Sequence, residues 1–94
     1  MTRLEKAISL IVEDVKKDLD GYYQSWDIET WSDYVEATGR DSKEVKEDVA
    51  YMLNEIDLSL NDDYELETED GELVSYRQLM NLVRKQLKVD GYLK

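Results

Sequence analysis

Residues 64–74 read YELETEDGELV, and their hydrophobic period differs from that of the rest of the chain, which predicts strands in an otherwise helical protein. From Tyr64 to Glu69, uncharged residues alternate with glutamates, which is the period of a half-buried strand. Asp70-Gly71 is a hairpin turn signal, and the two apolar residues beyond it suit a returning strand. We therefore predict an acidic β-hairpin over residues 63–75.

Outside this stretch, apolar residues recur at spacings of three and four, which predicts amphipathic helices. Three helices precede the hairpin and one follows it. The predicted limits are Thr2 to Gly21, Ser25 or Asp27 to Gly39, a helix from Asp41 whose apolar stripe runs to Ile56 or Leu60, and Ser75 to Asp90. The predicted fold class is α+β, a compact and mainly helical single domain over residues 1–94 with the order α-α-α-β-β-α.

The composition excludes several classes of function. The 94 residues carry a formal net charge of −11, from 23 acidic and 12 basic residues. A charge of this sign disfavours direct binding to nucleic acid or to an anionic membrane over most of the surface. With no cysteine there is no disulfide framework that requires an oxidising compartment, and no apolar run reaches the length of a membrane span. We expect a cytoplasmic protein with no membrane contact.

The residue types that most often carry catalysis are missing. There is no histidine or cysteine, so the usual general base, the thiol nucleophile and the common transition-metal ligands are absent. The glycines are isolated, which excludes a phosphate-cradling loop. The acidic run also lacks calcium-loop spacing, because Leu66 would occupy the first ligand position. We expect no enzymatic activity, no cofactor and no metal site.

The acidic residues are segregated along the chain. Between Lys46 and Arg77 there are eleven carboxylates and no basic residue. A concentrated field of one sign steers partners of the opposite sign, so we predict a binding site made of hairpin acids, acids on one face of the third helix, and two tyrosines as apolar anchors. The predicted partner-binding residues are Glu44, Asp48, Tyr51, Glu55, Asp62, Asp63, Tyr64, Glu65, Glu67, Glu69, Asp70 and Glu72.

Other interpretations of these residues stay open. Acid runs also serve as solvated faces, and charged edge strands discourage aggregation. Tyr23 and Trp26 flank a turn and suit an exposed contact, which favours a structural or regulatory interaction module, including a homodimer. Arg77, Arg84 and Lys88 share one face of the last helix and suit the helix dipole, a phosphate or the acidic region of a second copy.

In size, charge and missing catalytic groups, the chain resembles the small acidic inhibitors encoded by phages and mobile elements. Such inhibitors occupy the DNA or RNA groove of a host defence nuclease, as in anti-CRISPR or anti-restriction function. The resemblance implies a non-enzymatic inhibitor whose carboxylates replace phosphates on a basic surface of a nucleic-acid-binding enzyme of the host. This is the leading hypothesis, and the aromatic interaction module is the alternative.

Overall fold

The computed structural model of the protein describes residues 1–94. Its elements are α1 (Arg3–Asp20), α2 (Trp31–Thr38), α3 (Ser42–Asn54), β1 (Leu66–Glu67), β2 (Leu73–Val74) and α4 (Tyr76–Val89). This order confirms the predicted α+β class and the sequence α-α-α-β-β-α. None of the helices combines the length and the apolar composition needed to cross a lipid bilayer.

Each helix begins with a capping box, in which two side chains accept hydrogen bonds from each other's backbone N–H groups. The pairs are Thr2 with Glu5, Thr30 with Asp33, Asp41 with Glu44 and Ser75 with Gln78. Three of these starts agree with the prediction. The predicted start of the second helix near Ser25 or Asp27 is wrong, because residues 21–26 form turns and the Thr30 box starts the helix at Trp31.

The hydrophobic core lies mainly between α1 and α4, which pack together more extensively than any other pair of elements. All of the buried residues are hydrophobic, so no charge is buried within the core. They are Ala7, Ile11, Val12 and Val15 from α1, Leu79, Met80, Val83 and Leu87 from α4, and Tyr34, Val49, Leu53, Leu58, Leu66 and Leu93 from the remaining segments. The apolar stripes of the first and last helices therefore face each other.

The predicted hairpin is present, although its ladder is shorter than residues 63–75. The two short strands pair antiparallel, with Leu66 buried against the core. The Gly71 N–H closes the turn by donating to the Thr68 carbonyl at 3.0 Å, and Gly71 has a φ of 82°, which glycine adopts without steric cost. Tyr64 has a φ of 60°. This left-handed conformation is uncommon for a bulky residue, and it prevents the strand from extending back to residue 63.

Helix α3 ends in a left-handed turn at Asp57, whose φ is 62°. The Leu58 N–H donates to the Leu53 carbonyl at 3.0 Å, and the Asp57 N–H donates to the Asn54 carbonyl at 3.1 Å. This is the hydrogen-bond pattern of a Schellman motif. The prediction that the apolar stripe continues to Ile56 is wrong, because the helix has already ended and Ile56 is exposed.

Candidate acidic interface

The predicted partner-binding residues lie on two separate parts of the structure. The first part, here called the acidic hairpin, contains Asp62, Asp63, Tyr64, Glu65, Glu67, Glu69, Asp70 and Glu72. The second part, here called the α3 acidic face, contains Glu44, Asp48, Tyr51 and Glu55. The two parts differ in how many of their carboxylates are already engaged within the chain.

The acidic hairpin begins with a loop that Asn61 organises. The Asn61 Oδ1 accepts hydrogen bonds from the backbone N–H groups of Asp63 and Glu65, both at 2.9 Å. The Asn61 Nδ2 donates to the Glu65 carboxylate at 3.0 Å, and the Tyr64 N–H donates to the Asn61 carbonyl at 2.9 Å. An asparagine that satisfies several backbone groups holds a turn in one conformation. Asp62 and Asp63 are therefore exposed on an ordered turn.

Tyr64 packs against a cation of its own chain. The Lys46 Nζ lies 5.3 Å from the ring centroid of Tyr64 and 5.3 Å from that of Tyr76. Both distances are within the range of a cation–π interaction. Tyr64 is half-buried as a result, so only part of its ring is available as the predicted apolar anchor.

The tip of the acidic hairpin is tied to the start of α1. The Arg3 backbone N–H donates to the Glu69 Oε2 at 2.8 Å, and the Arg3 Nε donates to the Glu67 carbonyl at 2.8 Å. The hydrogen bond from the Arg3 backbone lowers the pKa of Glu69 below its ordinary value, as expected for a carboxylate at a helix N-terminus. Glu69 thus helps to hold the hairpin in place, a contact between residues that are 66 positions apart in the chain.

The other carboxylates of the hairpin have no counter-charge within the chain. The ion pairs of the protein all lie elsewhere, and they are Lys16–Asp90, Arg40–Asp48, Lys43–Glu47 and Lys94–Glu29. Apart from Glu69, whose carboxylate accepts the Arg3 hydrogen bond, five hairpin acids are both exposed and outside these pairs, and they are here called the free carboxylates: Asp62, Asp63, Glu67, Asp70 and Glu72. The acidic hairpin therefore presents a concentrated negative charge on backbone that the Asn61 loop and the Gly71 turn hold in place.

The α3 acidic face is more strongly engaged within the chain. Glu44 accepts a hydrogen bond from the Asp41 N–H at 3.3 Å as part of the capping box, and Asp48 forms an ion pair with Arg40. Tyr51 is 71% exposed and is the largest apolar contact surface on this face. The predicted face exists, but two of its three carboxylates already have partners.

The α3 acidic face lies on the opposite side of α3 from the residue that contacts the acidic hairpin. At 100° per residue, Tyr51 and Glu55 lie about 140° and 180° around the helix from Lys46. Lys46 is the residue that contacts Tyr64. The α3 acidic face is therefore turned away from the side of α3 that contacts the hairpin, and Glu55 is its one carboxylate that is exposed and outside every ion pair and side-chain hydrogen bond.

A polar cluster around Arg40 joins the first three helices, and sequence reasoning did not predict it. The Tyr34 hydroxyl donates to Asp18 at 2.6 Å, although Tyr34 itself is only 3% exposed. Burial and this hydrogen bond raise the pKa of Tyr34, and burial followed by repulsion from Asp18 raises the pKa of Asp14. Arg40 forms an ion pair with Asp48, and its positive charge acts against the rise in the pKa of Asp14. No motif joins these positions in the sequence, and no group of residues is arranged as a metal site.

The aromatic residues before α2 form an edge-to-face cluster. The ring centroid of Tyr23 lies 4.9 Å from that of Tyr22, 5.1 Å from that of Trp26 and 6.1 Å from that of Tyr34. Tyr22 is 77% exposed and Trp26 is 50% exposed. Tyr23 is half-buried because the other rings pack around it. Of the two predicted aromatic contacts, Trp26 is the more accessible.

Comparison of the chain with protein-family models, with curated proteins and with solved structures gave no match. Its function is therefore inferred from its own charges and contacts. The free carboxylates offer oxygen acceptors of the kind that arginine and lysine bind through charge-assisted hydrogen bonds.

Proposed function

We propose that this protein is a non-enzymatic inhibitor that binds a basic, nucleic-acid-binding surface of a partner protein through the acidic hairpin. The observation that carries the proposal is the set of five free carboxylates, which no ion pair of the chain neutralises. Ordinary exposed faces mix both signs of charge. An uncompensated acidic surface on an ordered turn instead favours a partner that supplies the cations.

Carboxylates replace phosphates in this mode of binding. Glu65 and Glu67 lie on either side of the buried Leu66, and alternate residues of an extended segment are about 6.6 Å apart; Glu67 is free, whereas the Glu65 carboxylate also accepts a hydrogen bond from Asn61. Phosphates of one nucleic-acid strand have a comparable spacing, with an axial rise of about 3.4 Å per nucleotide and a longer path along the curved backbone. Arginine and lysine side chains arranged for phosphates are therefore able to reach these carboxylates.

The type of protein that fits this proposal is an inhibitor encoded by a phage or a mobile element, with anti-CRISPR or anti-restriction function. The small size and the net charge of −11 support this proposal, because a strongly acidic surface is attracted to a groove that normally holds DNA or RNA. The partner is then a nucleic-acid-binding enzyme of the host, and the hairpin competes with the nucleic acid for its groove.

The partner is identified by affinity capture from bacterial lysate at low salt, followed by elution with a salt gradient and mass spectrometry. Charge pairs in a partly wet interface weaken as salt screens them, so we expect elution at moderate salt. The purified partner is then challenged with its own DNA or RNA, which should displace the inhibitor. A partner that is indifferent both to salt and to nucleic acid would contradict the proposal.

The contact surface is tested with a triple variant, Glu67→Gln, Asp70→Asn and Glu72→Gln. Glu65 and Glu69 are kept because their carboxylates help to hold the loop and the hairpin. An exposed charge pair contributes about 0.2–1 kcal/mol, so the loss of three is expected to weaken binding by a factor between about 3 and about 150.

A control with the same change in charge separates a local contact from a general effect of net charge. Glu13→Gln, Asp27→Asn and Glu36→Gln remove three exposed carboxylates that lie outside the hairpin and outside every ion pair. We expect this control to bind nearly as tightly as the unaltered protein. Equal affinities of the two triple variants would show that the hairpin is not the contact surface.

A second candidate function is a protein-interaction module that works through its aromatic surface. It is favoured by the exposure of Trp26 and Tyr22 beside the half-buried Tyr23, since tryptophan and tyrosine are frequent hot spots of interfaces. In that case, Trp26→Ala would abolish binding or dimerisation, the hairpin variants would not, and binding would depend only weakly on salt.

A further inference from the structure

A second charged surface lies where α2, α3 and α4 meet. An open groove of about 510 Å³ is lined there by nine residues of these three helices. Three of the nine are basic, Lys46, Arg77 and Arg84, and none is acidic. The chain as a whole has 23 acidic residues and only 12 basic ones, so a groove whose charged residues are all basic is not explained by the average composition of the surface.

The three bases of this groove have no counter-charge within the chain. Arg84 donates a hydrogen bond to the neutral amide of Asn81, and the Lys46 Nζ lies 5.3 Å from the ring centroid of Tyr76. Burial raises the pKa of Tyr76, while the positive charges of Arg40 and Arg84 act in the opposite direction. A positive field therefore reaches the part of the groove that Tyr76 borders.

The rest of the groove is apolar and includes two aromatic rings. Five of its nine lining residues are hydrophobic, among them the half-buried Trp31 and Tyr76. A bare inorganic anion would leave these rings unused, whereas a planar heteroaromatic base stacks on aromatic rings and on arginine side chains. The volume of the groove also falls in the range of small-molecule sites, which is about 300–1,000 Å³.

We infer that this groove binds a nucleotide, with the phosphates between Lys46, Arg77 and Arg84 and the base against the rings of Trp31 and Tyr76. Guanidinium groups match phosphates through paired N–H donors, and lysine adds a compact charge. Ser42, the first residue of α3, also borders the groove, but the carboxylates of Asp41 and Glu44 cap that helix start, so the positive charge for the phosphates comes from the three bases. The binding does not depend on the function proposed for the acidic hairpin.

The ligand is a free nucleotide and not a nucleic-acid strand. A strand would extend beyond the groove over a protein whose net charge is −11, and the resulting repulsion grows with the number of phosphates. The acidic hairpin also adjoins the groove, because Tyr64 packs on Lys46. A small nucleotide avoids most of this repulsion.

The test is a titration with adenosine triphosphate at low salt in the presence of a chelator. Isothermal titration calorimetry is done on the unaltered protein, and fluorescence is followed in Trp26→Phe, which leaves Trp31 as the only tryptophan. Tripolyphosphate and adenosine serve as probes for the two halves of the ligand. We expect adenosine triphosphate to bind at least about tenfold more tightly than either half, because joining two binding groups makes the second contact intramolecular.

Substitutions locate the site. Arg77→Gln and Arg84→Gln are each expected to weaken the binding of adenosine triphosphate by about tenfold or more, since each removes charge-assisted hydrogen bonds to the phosphates. Lys88→Gln is the matched control, because it removes one positive charge from the same helix at an exposed position outside the groove. The triple variant of the acidic hairpin should bind adenosine triphosphate at least as well as the unaltered protein, which separates this test from that of the proposed function.

Several results would overturn the inference. Absence of saturable binding would do so, as would affinity for adenosine triphosphate that is unchanged by Arg77→Gln and Arg84→Gln. Equal affinities for adenosine triphosphate and tripolyphosphate would show a general anion surface in which the rings have no role. Tighter binding of a single-stranded oligonucleotide or a glutamate-rich peptide would show that the occupant is a polymer.

Discussion

Replacement of Tyr34 by phenylalanine tests whether a hydroxyl–carboxylate hydrogen bond holds α2 against α1. Tyr34 is 3% exposed, and its hydroxyl donates to Asp18 at 2.6 Å. A hydrogen bond to a charged group contributes about 1.5–3 kcal/mol, and phenylalanine keeps the ring in place. Asp18 is only half-buried and can regain water when the hydroxyl is lost. We therefore expect the free energy of unfolding to fall by about 1.5–2 kcal/mol at neutral pH.

The same substitution is expected to cost less in alkaline solution. Burial and the Asp18 hydrogen bond raise the pKa of Tyr34 above its ordinary value of 10.0. Above pH 10 the unfolded chain loses this proton while the folded state keeps it, so the stabilisation is complete below pH 10 and decreases as pH rises. Above pH 10, each pH unit lowers the free energy of unfolding of the unaltered protein by about 1.4 kcal/mol through this group. Tyr34→Phe has no hydroxyl at this position and loses nothing. At pH 11 the free energies of unfolding of the two proteins should therefore differ by less than about 1 kcal/mol.

Urea unfolding followed by circular dichroism at pH 7 and pH 11 measures both differences. The other tyrosines are the same in both proteins, so their contributions cancel in the comparison. Tyr51→Phe is the matched control, since Tyr51 is 71% exposed and its change at pH 7 should stay within about 0.5 kcal/mol. If Tyr34→Phe is as stable as the unaltered protein at pH 7, or if its destabilisation is the same at both pH values, the hydrogen bond to Asp18 does not stabilise the fold in this way.

Three further predictions concern the C-terminal turn of α3, the core and the hairpin. Asp57→Gly should raise the free energy of unfolding by about 0.5–1 kcal/mol, because Asp57 has a φ of 62°; a lower urea midpoint would contradict this. Leu79→Ala, at a fully buried position, should cost about 3 kcal/mol through the cavity it leaves. Leu82→Ala on the same helix is 37% exposed and should cost clearly less, and equal urea midpoints of the two variants would show that Leu79 is not a core residue. Glu69→Ala should lower the thermal midpoint at neutral pH but not in acid. The pKa of Glu69 is lowered from 4.5 in the folded state, so its stabilisation is present above pH 4.5 and is lost as pH falls through the folded-state pKa. Glu72→Ala is its exposed control, and a loss of stability that persists in acid would exclude the contact with Arg3 as the cause.

The helix starts were predictable because capping is local. Thr2, Asp41 and Ser75 each stand three residues before a side chain that completes a capping box, and neighbours this close meet whatever the rest of the chain does. The start of α2 was missed although Thr30 and Asp33 form the same motif. Ser25 and Asp27 offered competing start signals, and only the packing of the aromatic cluster shows that residues 21–26 remain in turns.

The hairpin turn was predictable for the same local reason, but the extent of its strands was not. Gly71 supplies the left-handed residue that the turn requires. The alternating pattern from Tyr64 onward gave no sign that Tyr64 itself is left-handed, because that conformation depends on the Asn61 hydrogen bonds and on the contact with Lys46. Because Tyr64 is left-handed, β1 is shorter than the alternating stretch of sequence that begins at Tyr64.

The α+β order, the apolar stripes of the core and the segregation of acidic residues could all be predicted from the chain, since each depends on the spacing of residues along it. Which charges form contacts within the chain depends instead on how the elements pack. The tertiary structure pairs Glu69 with the start of α1 and Asp48 with Arg40, and it leaves five hairpin carboxylates free. It also brings Lys46 together with Arg77 and Arg84, which lie more than thirty residues further along the chain, in one groove. Electrostatic contacts depend on distance in space, and spacing along the chain does not specify the distance between side chains of separate elements.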